Sequence, residues 1–350
     1  MSTALDEEWL MFQNCVNTDI IEPVIKKKEI KKSDMPKCSD IYISTQTKIA
    51  YLNKTIDLYN IFWKLPVLDY HIPKNGIIKK SIKINCNTPE EVILLDEKIK
   101  NNKNIEVNVL SQVNNPNARK TKFKDIRKID IGLSKKDLIS YRKKKRGAFY
   151  NCFALILRIL YKNEYKEVHV KIFNTGKLEI PGIQYDELLT VTLDNLINIL
   201  KPYTNQELSY NKENISTVLI NSNFSCGFYI DRFKLYQILK NKYNINASYD
   251  PCSYPGIQCK FYYHKDKKIN DGIKNNKLEG HWYEISFMIF RTGSVLIVGN
   301  CNSNILKVIY EFLKNILGEE YNNIFITNNI SKKKKSIKKV RKKKLLFTIE

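Results

Sequence analysis

The chain has 350 residues, 43% of them hydrophobic, enough for one large core or for two domains. Lysine and arginine number 59 against 36 aspartates and glutamates, and the resulting charge of +23 favours a polyanionic partner, either nucleic acid or an acidic membrane surface. There is no run of about 18 apolar residues and no amino-terminal segment with an apolar centre, so the reading is of a soluble, intracellular protein with no membrane partner.

In chain order, residues 1–38 read as a flexible arm with a short helix at Glu7 to Phe12 and lysine clusters at 26–28 and 31–32. From Asp40 the alternating IYISTQTKIAYL predicts a strand, and DLYNIFWK, Asp57 to Lys64, a helix ending before Pro66. Residues 84 to 146 carry extra sequence with no counterpart later in the chain, including the run RKKKR at Arg142 to Arg146, and read as an insertion at about 86–147. FYNCFALILRI then predicts a central strand, and KIFNTGKLEIPG, Lys171 to Gly182, a β-hairpin whose turn takes its positive φ from Gly176. The next helix carries Leu189, Leu193, Leu196 and Leu200 on one face.

The same order then recurs. Val218 onward is strand-like, and Asp231 to Tyr243 reads as a helix with Phe233, Tyr236, Leu239 and Tyr243 on one side. SYPGIQCKFYY leads, through a polar excursion from His264 to Gly280, to a second hairpin, MIFRTGSVLIVG, Met288 to Gly299. At a constant offset of 117 residues the two hairpins share six identities in twelve positions, and the following helix repeats the stripe as Leu306, Tyr310, Leu313 and Leu317. This predicts two similar repeats, each an antiparallel sheet with helices on one face, an α+β fold. The expected boundaries are an arm to residue 38, a first repeat at 39–205 including the insertion, a second at 206–329, and a basic tail at 330–350. In that tail, Ser331 to Lys344 holds ten lysines and arginines in fourteen residues.

Eight cysteines (Cys15, Cys38, Cys86, Cys152, Cys226, Cys252, Cys259, Cys301) lack metal-ligand spacing and read as reduced, mostly buried thiols. His71, His169, His264 and His281 are scattered, and no paired histidine and carboxylate, phosphate loop or nucleophile motif occurs. No enzyme, metal or cofactor is expected.

Three motifs together, the IF-x-TG pattern closing on a glycine in both hairpins, FALILRI at Phe153 to Ile159 and SYDPCSYPGIQCKF at Ser248 to Phe261, resemble the TATA-box-binding protein family over roughly residues 40 to 325. The extra blocks resemble the divergent versions encoded by large DNA viruses. The resemblance implies a pseudo-twofold saddle, with a curved antiparallel sheet beneath and helices on the convex face. It further implies a monomer that binds AT-rich double-stranded DNA in the minor groove, working with general transcription factors or RNA polymerase, in a nucleus, a cytoplasmic viral factory or a virion. Aromatic wedges in such a groove unstack a base step and kink the duplex, behaviour for which this family is the standing example.

Carried over by position, the resemblance makes Phe173, Phe290 and Tyr254 wedges, and puts the fourth wedge at Cys152, with Phe153 or Phe149 as alternatives. Arg158 and Lys260 would meet phosphates. Asn221 or Asn223 would bond base edges, with Ser44 or Gln46 as first-repeat equivalents, and Leu296 and Val298 fit the apolar groove face. Lys171, Glu179 and Pro181 depart from the pattern, since a carboxylate there would repel phosphates. Either Glu179 pairs with Lys171 across the hairpin, or the register differs, or the specificity has changed. A competing expectation is a scaffold that keeps the fold without promoter binding.

Overall fold

The computed structural model describes residues 35–102, 104–139, 149–204, 207–275 and 277–327. The helix expected at Glu7 to Phe12, most of the amino-terminal arm, the Arg142 to Arg146 run and the basic stretch from Ser331 lie outside the described residues. The chain divides into two compact units: Gln46–Thr217 form one, and the described residues through Thr45 with those from Val218 onward form the other.

In the Gln46–Thr217 unit, strand β1 (Tyr42–Tyr51), which begins in the other unit, is followed by α1 (Leu58–Lys64) and β2 (Gly76–Cys86). Then come α2 (Pro89–Lys100), β3 (Ile105–Asn114), β4 (Phe123–Gly132), α3 (Lys135–Ile139), β5 (Cys152–Tyr161), β6 (Glu164–Phe173), β7 (Lys177–Ile183) and α4 (Asp186–Leu200). The strands lie in the order β1-β7-β6-β5-β2-β4-β3, antiparallel throughout. The other unit holds β8 (Ser216–Ser225), β9 (Tyr229–Ile230), α5 (Arg232–Asn241), β10 (Asn246–Ser248), β11 (Ile257–His264), β12 (Trp282–Ile289), β13 (Ser294–Gly299), α6 (Ser303–Glu319), α7 (Tyr321–Ile324) and β14 (Phe325–Ile326). Its main sheet runs β8-β13-β12-β11-β10, so β8, β13, β12 and β11 correspond in order to β1, β7, β6 and β5. The fold is α+β.

One side of each sheet is packed. Phe153, Leu155, Leu157, Ile172, Leu178 and Ile180 join Phe62 of α1, Leu95 of α2 and Leu193 and Leu196 of α4 in a single core. In the second unit Phe261, Phe287, Val295 and Ile297 meet Leu235 and Leu239 of α5 and Ile309, Leu313 and Leu317 of α6. The helices begin where side chains satisfy their first amides: Asp57 accepts from Asn60 N at 3.1 Å, and Asn302 from Ile305 N at 2.9 Å. The leucines of the α4 and α6 stripes are buried as their spacing predicted, while Tyr310 of the second stripe is half-buried. Gly176 and Gly293 take φ of 82° and 81° in the two hairpin turns. The described cysteines are free thiols, five of them buried, and burial pushes Cys301 up to about 11.

One expectation changes. Phe233 does not face the core; it is 60% exposed, because the Asp231 cap starts α5 at Arg232, and Leu235 and Leu239, four residues apart, then take the buried face. The insertion is largely ordered secondary structure: α2 packs on the core, and β4 and β3 extend the sheet beyond β2. Thr88 caps α2 by accepting from Glu91 N at 3.3 Å, with Pro89 opening the helix.

Lys80 of β2 is 2% exposed, and its ammonium donates to the carbonyls of Phe62 and Leu65, at 2.6 Å each, closing the end of α1. Burial pushes this amine down to about 8. Between that value and the ordinary lysine value near 10.4 the unfolded chain holds the extra proton, so the contribution of Lys80 to stability rises as pH rises through this window. Urea midpoints measured across it should rise more steeply in wild type than in Lys80→Met. Phe153→Ala should lower unfolding free energy by about 3–5 kcal/mol, as deletion of a fully buried phenyl ring does; urea titration measures it.

Candidate nucleic-acid interface

The side of each sheet away from the helices is set by strand alternation. In the second unit the register lines up two rows across this open face. Asn223 stands opposite Leu296, Leu296 opposite Met288, and Met288 opposite Gln258. Asn221 stands opposite Val298, Val298 opposite Ser286, and Ser286 opposite Lys260. Each row therefore begins with an amide on β8, continues with an aliphatic side chain on β13 and ends in a polar group on β11. Asn221, Asn223, Leu296 and Val298 are all half-buried. The Oδ1 of Asn221 is covered yet accepts no hydrogen bond, whereas Asn223 donates to the Tyr42 hydroxyl at 3.1 Å. Exposed Leu219 belongs to the same face by its position in β8, a residue sequence reading passed over although the alternation marks it.

At the end of this face Tyr254 and Phe290 meet, with ring centroids 5.9 Å apart and planes inclined by 59°. Phe290 is 4% exposed and lies outside the core cluster; Tyr254 is half-buried and is the outer ring of the pair. Gly256 makes the approach possible, since a Cβ there would lie 2.9 Å from Phe290 and 3.1 Å from Tyr254. Arg232 donates to the carbonyl of Pro255 and ties the segment to α5. Lys260 is paired with Glu284 at 2.5 Å, both about half exposed.

The Gln46–Thr217 unit is different on its open face. Lys171 and Glu179 are cross-strand partners and pair at 2.6 Å, the first of the three alternatives that the sequence left open. Phe173 is half-buried, opposite Cys152, with the Lys177 ammonium 5.6 Å from its ring. Phe153 is fully buried on the helix side, edge-on to Phe62 at 6.0 Å, so it does not stand in for Cys152 as a wedge. Arg158 is 7% exposed, donates to the carbonyl of Ile72 at 2.7 Å and lies 4.5 Å from the Tyr70 ring, which commits it to the segment between α1 and β2 rather than to an outside anion. Gln46 accepts from Thr217 at 3.4 Å, and in the second unit Ser44 donates to the Asn221 carbonyl at 2.9 Å.

Phe149, by contrast, is 65% exposed and Tyr150 53%. The Lys171 ammonium lies 4.6 Å from the Phe149 ring, and that of Lys83 3.4 Å from the Tyr150 ring. A hydrogen bond from Lys83, with the charges of Lys83 and Lys124, holds the Tyr150 hydroxyl below its usual range. Tyr150 had no part in the sequence reading; its sign was an aromatic pair following a basic run.

A curated protein of Acanthamoeba polyphaga mimivirus, described as TATA-box-binding protein-like, is 27% identical over 190 residues, covering 51% of this chain and 50% of that protein. Over that span the chain is similar to a protein described as TATA-box-binding protein-like. It spans half the length of that viral relative. No protein-family model matches it. Among solved structures, the TATA-box-binding protein of Methanococcus jannaschii aligns with a TM-score of 0.40 and 13% identity, over 80% of this chain and 99% of that one. Among the described residues, no helix is long and apolar enough to cross a membrane.

Gly256→Ala should separate the Tyr254 and Phe290 rings and lower stability by about 1–3 kcal/mol, the usual range for overpacking. A urea titration followed by near-ultraviolet dichroism measures both effects, and an unchanged aromatic signal would contradict the close contact.

Proposed function

We propose that the chain is a transcription-initiation factor that binds AT-rich duplex DNA in the minor groove and bends it, with the open face of the second unit as the principal contact. The observation that carries this reading is the pair of rows running from Asn221 and Asn223 through Val298 and Leu296, with the Tyr254–Phe290 pair at their end. A shallow aliphatic face suits a widened groove floor, and amides can bond the acceptors that A·T pairs present there. Tyr254, backed by Phe290, acts as the wedge, entering a flexible pyrimidine–purine step. Lys260 gives up Glu284 for a phosphate, and the large net positive charge supplies sequence-independent attraction. Phe173 makes a weaker second wedge opposite Cys152. The viral relative's description supports the same reading.

On the helical side, exposed Phe233 and Val308 are available to general transcription factors or a polymerase. Such a factor acts as a monomer on DNA, in a nucleus or a cytoplasmic viral factory. A second reading, a scaffold that retains the fold without promoter recognition, draws support from the neutralised Lys171–Glu179 pair and the committed Arg158.

End-to-end fluorescence transfer on short AT-rich and GC-rich duplexes near physiological salt tests the two readings. Full-length protein should bend only the AT-rich duplex, and Tyr254→Ala/Phe290→Ala should abolish the bend. Leu296→Glu, a half-buried open-face change, should weaken AT-rich binding by about tenfold or more, because like charges brought together at an interface cost several kcal/mol. Absence of bending by folded wild-type protein would favour the scaffold.

A further inference from the structure

The Phe149–Tyr150 pair is not accounted for by duplex binding. These residues immediately precede β5, and both rings are more than half exposed, so they do not serve as core. The two lysines against them belong to the strands on either side of β5: Lys83 to β2 and Lys171 to β6. Both lysines project from the open face, Lys171 opposite Ala154 and Lys83 next to core-facing Ile82. Lys124 of β4, close enough to act on the Tyr150 hydroxyl, adds a third positive charge. The result is two adjacent aromatic rings set among ammonium groups on a sheet surface, with the charge of Lys171 balanced by Glu179 at 2.6 Å and those of Lys83 and Lys124 left to meet phosphates.

Lys83 and Lys171 each lie over one ring face, which leaves the remaining ring surface for stacking. An unpaired base offers a flat π-face without sequence preference, and the phosphates beside it match the surrounding lysines. A protein partner would use the rings equally well but would not call for this density of positive charge; an acidic duplex would use the charge but offer no exposed base. We propose that Phe149 and Tyr150, with Lys83, Lys124 and Lys171 around them, form a stacking site for unpaired bases of single-stranded nucleic acid. The site is separate from the Tyr254–Phe290 end and does not depend on minor-groove binding. A strand opened next to a bound duplex and a free transcript both present this chemistry.

The test is fluorescence anisotropy with full-length protein near physiological salt, using labelled oligothymidylate, oligouridylate and an abasic deoxyribose-phosphate strand of equal length. Wild type should bind the base-containing strand more tightly than the abasic one. Phe149→Ala/Tyr150→Ala should lose about thirtyfold or more on that strand, the effect of two stacked bases, and little on the abasic strand. Phe149→Trp/Tyr150→Trp should retain binding. Comparing oligothymidylate with oligouridylate distinguishes DNA from RNA as the ligand. The double alanine variant should still bend an AT-rich duplex as wild type does, so this proposal and the duplex reading can fail separately. Equal affinity of wild type for abasic and base-containing strands, or an unchanged oligothymidylate affinity in the alanine variant, would overturn the proposal.

Discussion

Successive side chains of a strand point to opposite faces of its sheet, and in this protein one face is committed to helices. Along β6, Val168, Val170 and Ile172 enter the core while Lys171 and Phe173 stand on the other side. Along β13, Val295 and Ile297 enter while Leu296 and Val298 remain. A residue cannot serve both purposes, and a shift of one position exchanges the two sets. Cys152 and Phe153 illustrate this. They are neighbours in sequence, yet Phe153 belongs to the core through Phe62, and Cys152 alone stands opposite Phe173.

That separation lets the two repeats agree in their cores and differ in their outer faces. Their hairpins and following helices have corresponding apolar positions because each must fill a closely packed interior, where a change of even one methylene is felt. The open faces have no such requirement. One carries amides and aliphatic groups in register; the other carries an ion pair, an arginine bound to a neighbouring segment and two lysine-flanked aromatic rings.

The added strands extend the same logic. In the second unit the short β10 ends the sheet, whereas β2 in the first is paired on its far side by β4. Behind β4, Arg127 bonds buried Asp125 at 2.8 Å and Asp96 of α2 at 2.6 Å, which joins the added helix to the added strands. A buried carboxylate satisfied in this way escapes the cost that an unpaired one would carry.

The sequence by itself determined the duplication, the two hairpins, the buried stripes of α4 and α6 and the α+β class, because these rest on local periodicity and on glycines needed for positive φ. It also offered Glu179 pairing with Lys171, since both residues lie on one hairpin. The signal for α2 was present in Thr88-Pro89-Glu90-Glu91 but had no repeat to draw attention to it. Only the tertiary structure decided that Arg158 is occupied by Ile72, that Phe290 is covered, that Phe233 is exposed and that Lys83 and Lys171 reach the rings of Tyr150 and Phe149. Each of these depends on segments distant in sequence or on where a helix cap falls, and residue type and spacing do not carry that information.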